Sequence, residues 1–191
     1  PPFKRGRMEI YMTEIRLHGK GGQGVVKASQ IVVQAAVAGG LCGQFIPFFG
    51  VERKGSPVFG YLRLSDIEIR RKTQIYTPDI IVIMDDSLCS AAPTYAGLKD
   101  GGTVLINTVK PLEKLNVPDC AGRVIAVDAT GISERLFGKN LPNTAMLGAM
   151  AHILPHVDKE LLFGEIEKTF NAANRSAAET AFGEIRVLKE A

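Results

Sequence analysis

The sequence has no tryptophan and only three cysteines, Cys42, Cys89 and Cys120, among 191 residues. These thiols are far apart in the chain and odd in number, so they indicate neither a disulfide framework nor a CxxC metal motif. Because a 4Fe-4S cluster usually needs four thiolates, we do not expect this chain to hold one alone. Three structural thiols in a reducing cytoplasm are the simpler interpretation.

Strong charge of either sign is also lacking. Lys and Arg number 23 against 20 Asp and Glu, which gives a net charge of +3. Apart from Arg70-Arg71-Lys72 the basic residues form no run, so we expect no nucleic-acid partner. No apolar stretch has the length of a transmembrane helix, and no segment has the pattern of a secretory signal. We therefore expect a cytoplasmic chain without a membrane partner.

The length of the chain predicts one domain. A chain of 191 residues can bury a sizeable core but is short for two domains. Residues 1–12 begin without Met and read as a basic tail, either native or added for expression, which we leave out of the fold prediction. Residues 13–191 are expected to form a single α/β domain.

The first part of that domain predicts a βαβ unit. Residues Thr13–Gly19 alternate and stop at glycine, as a short strand does. Residues Gln23–Gly40 carry apolar side chains at helical spacing and end in two glycines. Residues Cys42–Phe48 read as a second strand.

The rest of the chain alternates between strand and helix patterns. Apolar runs over Pro78–Asp86, Gly101–Thr108 and Gly122–Thr130 are typical of buried parallel strands. A strand over Ser56–Asp66 is predicted to pair with Ile67–Arg71 as a hairpin beside the sheet. Helices are predicted over Ser87–Leu98, Gly131–Leu136, Thr144–Leu154 and, as two helices, Lys159–Ala191. The predicted fold is a Rossmann-like open, mostly parallel sheet with helices on both faces and a β-hairpin extension.

A glycine loop links the first predicted strand to its helix. Its spacing, Gly19-x-Gly21-x-x-Gly24, matches the dinucleotide fingerprint, and the amides of such a loop favour an anion at the helix N-terminus. The alternative is a tight strand-to-helix turn that lets the helix pack closely. The candidate anion- or partner-binding residues are Gly19, Lys20, Gly21, Gly22, Gln23 and Gly24.

Two nucleotide-binding interpretations of this loop fit poorly. An NAD site has an acid at the end of the second strand for the ribose hydroxyls, whereas that strand ends in QFIPFFG and the first acid is Glu52. A P-loop has its lysine after the last glycine, whereas Lys20 lies among the glycines. We therefore expect no specific binding of NAD.

A charged loop follows the second predicted strand, within FFGVERKGSPV. Its candidate residues are Glu52, Arg53, Lys54 and Gly55, at the edge of an open α/β sheet where ligands and partners dock. Arg53 offers a planar fork for carboxylate or phosphate, and Lys54 a point charge. The alternative is a solvated turn with an internal Glu–Arg pair.

The segment NTAMLGAM begins a later helix, and Asn143 or Thr144 is suited to cap it near the site. His18 and His152 stand alone, without metal-ligand spacing, so a structural role is expected for both. No nucleophile elbow, HExxH motif or Ser/His/Asp arrangement is found. We therefore assign no catalytic residue and no metal site.

Four segments together carry a family resemblance: GKGGQGVVKAS, GVERKGSPVFGYLRLSD, IYTPDIIVIMDDSL and NTAMLGA. In this order and spacing they resemble the gamma subunit of pyruvate:ferredoxin oxidoreductase, within the 2-oxoacid:ferredoxin oxidoreductases. The resemblance extends from Thr13 over nearly the whole chain. The charged loop of the family usually reads ERRGGPV or ERRGAPV, so Lys54 replaces an arginine and its bidentate fork.

The resemblance implies a subunit of an enzyme that converts pyruvate and CoA to acetyl-CoA and CO2, with electrons passed to ferredoxin. It implies that thiamine diphosphate, Mg2+ and the 4Fe-4S clusters lie on other subunits, and that this chain alone binds no cofactor and is inactive. Alpha, beta and delta subunits are the expected partners, and ferredoxin is reached through the complex. The two loops would then face a neighbouring subunit or the CoA entrance. The alternative is a stand-alone Rossmann-like nucleotide-binding or regulatory module.

Overall fold

A computed structural model describes residues 11–49, 57–91, 93–154 and 156–191. Five α-helices lie within these ranges: α1 (Val25–Ala38), α2 (Ala129–Phe137), α3 (Asn143–Met150), α4 (Lys159–Thr169) and α5 (Ala172–Gly183). The strands are β1 (Met12–Lys20), β2 (Cys42–Phe49), β3 (Pro57–Ser65), β4 (Ile80–Ile83), β5 (Thr103–Asn107), β6 (Arg123–Val127) and β7 (Arg186–Glu190). Short 3-10 turns cover Asp86–Ser90 and Leu112–Lys114.

The strands form one seven-stranded sheet in the order β2-β3-β1-β4-β5-β6-β7. The pairs β1–β4, β4–β5 and β5–β6 are parallel, as the continuous apolar runs predicted. Strand β3 is antiparallel to both of its neighbours, and β7 is antiparallel to β6. The described strands other than β3 and β7 therefore share one direction, and the predicted α/β class is confirmed.

Strand β3 lies between β1 and β2, and the predicted hairpin partner is wrong. Residues Ile67–Arg71 form coil, whereas β3 pairs with β1 on one side and β2 on the other. Strand β3 takes this interior position because its apolar residues can be buried there: Leu62 and Leu64 are fully buried. After Asp66, by contrast, Ile67 is exposed and Arg70, Arg71 and Lys72 are exposed cations, so this segment does not occupy a buried position in the sheet.

The prediction of helices on both faces is also wrong. Residues from all five helices join one core cluster with one face of the strands, including Leu17, Val82 and Leu105. The opposite face, here called the far face, carries a second cluster built on β4, β5 and β6. Its cover consists of turns and coil, and the predicted helix over Ser87–Leu98 is a 3-10 turn followed by coil. Pro93 and the positive φ of Gly97 disfavour a continuous helix there.

Both ends of the domain differ from the prediction. After α4 and α5, the chain adds the edge strand β7, where helix had been predicted; Leu188 of that strand packs against the far-face cluster. At the other end, β1 begins at Met12, and the amide of Tyr11 donates to Asp66 Oδ1 at 3.1 Å. Tyr11 and Met12 therefore belong to the domain rather than to the predicted tail, while residues 1–10 lie outside the described ranges.

The contact between α3 and α5 gives a stability prediction. A Cβ at Gly148 of α3 would overlap the backbone carbonyl of Ala178 in α5. We expect Gly148→Ala to lower the free energy of unfolding by about 1–3 kcal/mol, the usual cost of overpacking. Gly164 of α4 is the matched control, because a Cβ there would meet nothing within 4 Å. Gly164→Ala should instead raise the free energy by about 0.5–1 kcal/mol, and equal effects in urea unfolding would contradict this packing.

Candidate functional site

The candidate site lies at the carboxyl edge of the sheet, the edge where β1, β2, β4, β5 and β6 end. At this edge Lys20 of β1 pairs with Pro57 of β3, and Phe49 of β2 pairs with Val58. The glycine loop therefore begins at the same edge as both ends of the segment 50–56, as the sequence predicted. Glu52, Arg53, Lys54 and Gly55 themselves lie outside the described residues.

The glycine loop is a tight turn held by its own backbone and one side chain. The amide of Gln23 donates to the carbonyl of Lys20 at 3.1 Å, and the amide of Lys20 donates to Gln23 Oε1 at 2.8 Å. Gly22 and Gly24 have φ values of 95° and 77°, in the left-handed region that glycine adopts without strain. The turn geometry thus explains two of the four glycines.

Close packing explains Gly19 and gives Gly24 a second role. A Cβ at Gly19 would overlap the side chain of Val25, so the glycine lets α1 approach β1 closely. A Cβ at Gly24 would lie 2.8 Å from Asn143 Nδ2, so the start of α1 contacts the start of α3. The structure therefore brings Asn143 beside the glycine loop, and the close-packing interpretation of the loop accounts for its geometry.

The predicted cap by Asn143 or Thr144 is wrong. Helix α3 begins directly after Pro142, and no side-chain hydrogen bond caps it within the described residues. Both polar residues are therefore already in the first turn, where proline at the preceding position fixes a helical φ. The hydroxyl of Thr144 donates instead to Asn174 Oδ1 of α5 at 2.9 Å.

Lys20 is not an isolated cation, because Asp85 neutralises it. Lys20 Nζ lies 3.0 Å from Asp85 Oδ2, and Gln23 Nε2 donates to the same oxygen at 3.0 Å. The other oxygen of Asp85 accepts from the amide of Ser87 at 3.0 Å. Burial alone would raise the pKa of Asp85, but the hydrogen bonds from Ser87, Lys20 and Gln23 outweigh it and lower that pKa. These contacts tie the glycine loop to the end of β4.

A cleft of about 270 Å³ opens beyond the ends of β4, β5 and β6. Its floor is the buried Asn107, whose Nδ2 donates to the carbonyl of Met84 at 3.0 Å and to Thr130 Oγ1 at 2.9 Å. The sequence analysis missed Asn107, although it is the second-last residue of the strand predicted over Gly101–Thr108 and the last residue of β5. Polar residues that line the cleft include Gln23, Asp85, Asp86, Asn107, Asp128 and Thr130.

The cleft is acidic. Asp86 accepts from Thr108 Oγ1 at 2.7 Å and from Lys110 Nζ at 3.1 Å. Asp128 caps α2 by accepting from the amide of Gly131 at 2.8 Å. With Asp85, three carboxylates therefore line the cleft, and Lys20 and Lys110 pair with two of them. No cation is among the described residues that line the cleft, which weighs against a pyrophosphate, and so a dinucleotide, at this position.

On the far face, Arg16 and His18 form a buried polar pair. Arg16 Nε donates to His18 Nε2 at 2.9 Å, and Arg16 Nη2 donates to the carbonyls of Thr94 and Ala96 at 2.9 and 2.8 Å. Burial and the nearby Arg16 lower the pKa of His18 to about 3, so its ring is neutral at physiological pH. His18 therefore has a structural setting, as predicted, and is no proton-transfer group near pH 7.

Metal and membrane roles find no support in the described part of the chain. No group of three or more His, Cys, Asp or Glu side chains there is placed to hold a metal ion. No helix of the described residues is both long and apolar enough to cross a membrane. Cys89 is buried in the far-face core, and three cysteines in the whole sequence do not fit a cluster that needs four thiolates.

The Asp85 contacts give a pH prediction. A carboxylate whose pKa is lower in the folded state stabilises the fold above its unfolded pKa of about 4, and this stability is lost as pH falls through the folded pKa. We expect Asp85→Asn to lower the melting temperature at pH 7, with the difference from wild type shrinking below about pH 4. Asp100→Asn, at an exposed position, is the control. A difference in melting temperature between Asp85→Asn and wild type that stays constant with pH would contradict the lowered pKa of Asp85.

Comparison with known proteins agrees with this architecture. The family model for pyruvate ferredoxin/flavodoxin oxidoreductase matches residues 14–184. The chain is 45% identical over 184 residues to the pyruvate/ketoisovalerate oxidoreductases common subunit gamma of Thermococcus kodakarensis, covering 93% of this chain and 100% of that one.

Two solved structures share the fold. The crystal structure of pyruvate oxidoreductase subunit PORC from Thermotoga maritima matches with a TM-score of 0.80 and 33% identity, over 92% of this chain and 98% of that one. The 2-oxoglutarate:ferredoxin oxidoreductase of Magnetococcus marinus, solved with 2-oxoglutarate, coenzyme A and succinyl-CoA, matches with a TM-score of 0.76 at 16% identity, over 90% of this chain and 30% of that one. The chain therefore belongs to the pyruvate ferredoxin/flavodoxin oxidoreductase family, as a gamma-type subunit of a multisubunit 2-oxoacid:ferredoxin oxidoreductase.

Proposed function

We propose that the complex containing this chain acts in the cytoplasm on pyruvate, converting pyruvate and CoA to acetyl-CoA and CO2 with electrons passed to ferredoxin. The observation that carries the proposal is the end-to-end similarity to gamma subunits of pyruvate-oxidising enzymes. We find no candidate catalytic group among the described residues of this chain. The role of the chain is therefore to bind and to position.

The cofactors of the reaction are proposed to lie on the alpha, beta and delta subunits. Thiamine diphosphate with Mg2+ supplies the stabilised carbanion needed for decarboxylation, and 4Fe-4S clusters carry the electrons. This chain has too few cysteines for a cluster, and its described residues hold no candidate metal group.

The carboxyl edge is proposed as the surface that faces the catalytic subunits and the CoA entrance. Helix α1 begins at this edge without a side-chain cap among the described residues, so its first amides are directed toward the edge. The residues Gly19, Lys20, Gly21, Gly22, Gln23 and Gly24 shape this helix start. Glu52, Arg53 and Lys54, followed by Gly55, add charge from the segment that joins β2 to β3. Phosphate groups of CoA or carboxylates of a partner fit such donors.

The alternative function, a stand-alone nucleotide-binding module, conflicts with two features. Strand β3 separates β1 from β2, so the strand that would carry a ribose-binding acid does not adjoin the glycine loop. The cleft that would take the pyrophosphate is lined by carboxylates. Both features favour a partner-facing edge over a dinucleotide site.

The charged loop provides the test. We expect Arg53→Ala to leave the melting temperature unchanged but to weaken assembly or raise the KM for CoA by about tenfold or more, since truncating a desolvated charge pair costs about 2–5 kcal/mol. The assay is a CoA titration of the reconstituted complex, with assembly followed by gel filtration. Arg135→Ala is the matched control, because Arg135 forms an exposed pair with Glu184 at 2.9 Å.

The salt dependence strengthens this test. A partly exposed contact made by Arg53 should weaken further as ionic strength rises. If Arg53→Ala, like Arg135→Ala, assembles as wild type does and keeps the wild-type KM for CoA, the charged loop is a solvated turn. The proposal for this loop would then be wrong, and the glycine loop would remain as the candidate contact.

A further inference from the structure

A groove of about 510 Å³ lies between helix α1 and the edge strand β2. Its described walls come from these two elements: Val26, Gln30, Val33, Gln34, Phe45 and Pro47. A Cβ at Gly43 of β2 would lie 3.0 Å from Val33 Cγ1, so α1 packs directly on this strand. Phe45 nevertheless stays half-buried and Pro47 exposed. Within the described residues, the helix layer therefore does not cover β2 fully.

The described residues that form this groove carry no charge. Lys27 is the one charged residue of α1, and the sequence of β2 has none. The opposite edge strand β7, by contrast, carries Arg186, Lys189 and Glu190, and α4 has five charged residues. Helices and edge strands that face solvent ordinarily carry such charges. The groove therefore has the composition of a surface that a partner covers.

The spacing of the residues along the groove favours a helix as its occupant. The partly or fully exposed residues on this side of α1 recur at intervals of four, three and four: Val26, Gln30, Val33 and Val37. Helices that pack side by side have apolar residues at this spacing, and Val37 is 55% exposed. A strand fits the edge of β2 less well, because Pro47 has no amide to donate to a ladder.

We propose that the groove holds an apolar, uncharged helix of another subunit of the oxidoreductase, packed beside α1 and over β2. The chain is a gamma-type subunit of a multisubunit complex, and permanent interfaces are more apolar than transient ones. The groove opens at the carboxyl edge, because α1 begins there and β2 ends there. The contact therefore continues the surface that the proposed function turns toward the catalytic subunits. It rests on the proposed function for that partner, but not on the identity of the substrate.

The test places two opposite charges on the groove side of α1, as Gln30→Glu with Gln34→Lys. Both positions are exposed in the isolated chain, and Glu four residues before Lys supports a helix, so the melting temperature of the isolated chain should not fall. In the complex both charges would be buried against an apolar helix, so we expect the Kd for assembly, measured by gel filtration, to rise by about tenfold or more. The matched control is Ala172→Glu with Ser176→Lys, the same pair at exposed positions of α5, which should assemble as wild type does.

Photo-crosslinking identifies what fills the groove. With p-benzoylphenylalanine in place of Gln34 in the reconstituted complex, we expect crosslinks to a helical segment of another subunit. Wild-type assembly of Gln30→Glu with Gln34→Lys would overturn the proposal, as would crosslinks to a second copy of this chain or to a non-helical segment, or the absence of crosslinks. Neither readout needs turnover. A complex that passes both tests but does not oxidise pyruvate would therefore refute the proposed function alone.

Discussion

The antiparallel pairing of β3 with β1 is the constraint on which the other features of this chain depend. It separates β1 from β2, so Pro57 lies beside the start of the glycine loop and Phe49 lies one strand further along the same edge. It places Arg63 opposite Glu14, where the guanidinium can pair with the carboxylate and reach the coil after β3. A fold with β1 and β2 adjacent would have offered a ribose-binding acid a place beside the loop.

The glycine loop is best understood through packing and charge neutralisation. Gly19 and Gly24 let α1 approach β1 and α3, and Lys20 is held by Asp85 rather than extended toward solvent. Within the described residues, Lys20 and Lys110 pair with Asp85 and Asp86, and no cation lines the cleft that could take a pyrophosphate. We therefore propose a partner, rather than a nucleotide, as what binds at this edge.

The sequence predicted those elements whose signal is local. The apolar runs of β4, β5 and β6 and the helical spacing of α1 were sufficient, because the strands are buried and α1 buries one continuous face. The far face could not be predicted, because its polar pair of Arg16 and His18 takes partners from coil about 80 residues away in the chain. Strand β7 was missed because an exposed edge strand has little apolar signal. The glycine loop was identified from its pattern, whereas Asn107 acquires its role only when three strands meet.

The central claim is that other subunits cover the carboxyl edge of this chain. Hydrogen–deuterium exchange of the isolated chain and of the assembled complex tests it most directly, since amides buried by a partner exchange more slowly. We predict slower exchange on assembly at residues 19–27 and 50–57, with little change along α4 and α5. Protection confined to those two helices, with the carboxyl edge exchanging as fast as in the isolated chain, would contradict it.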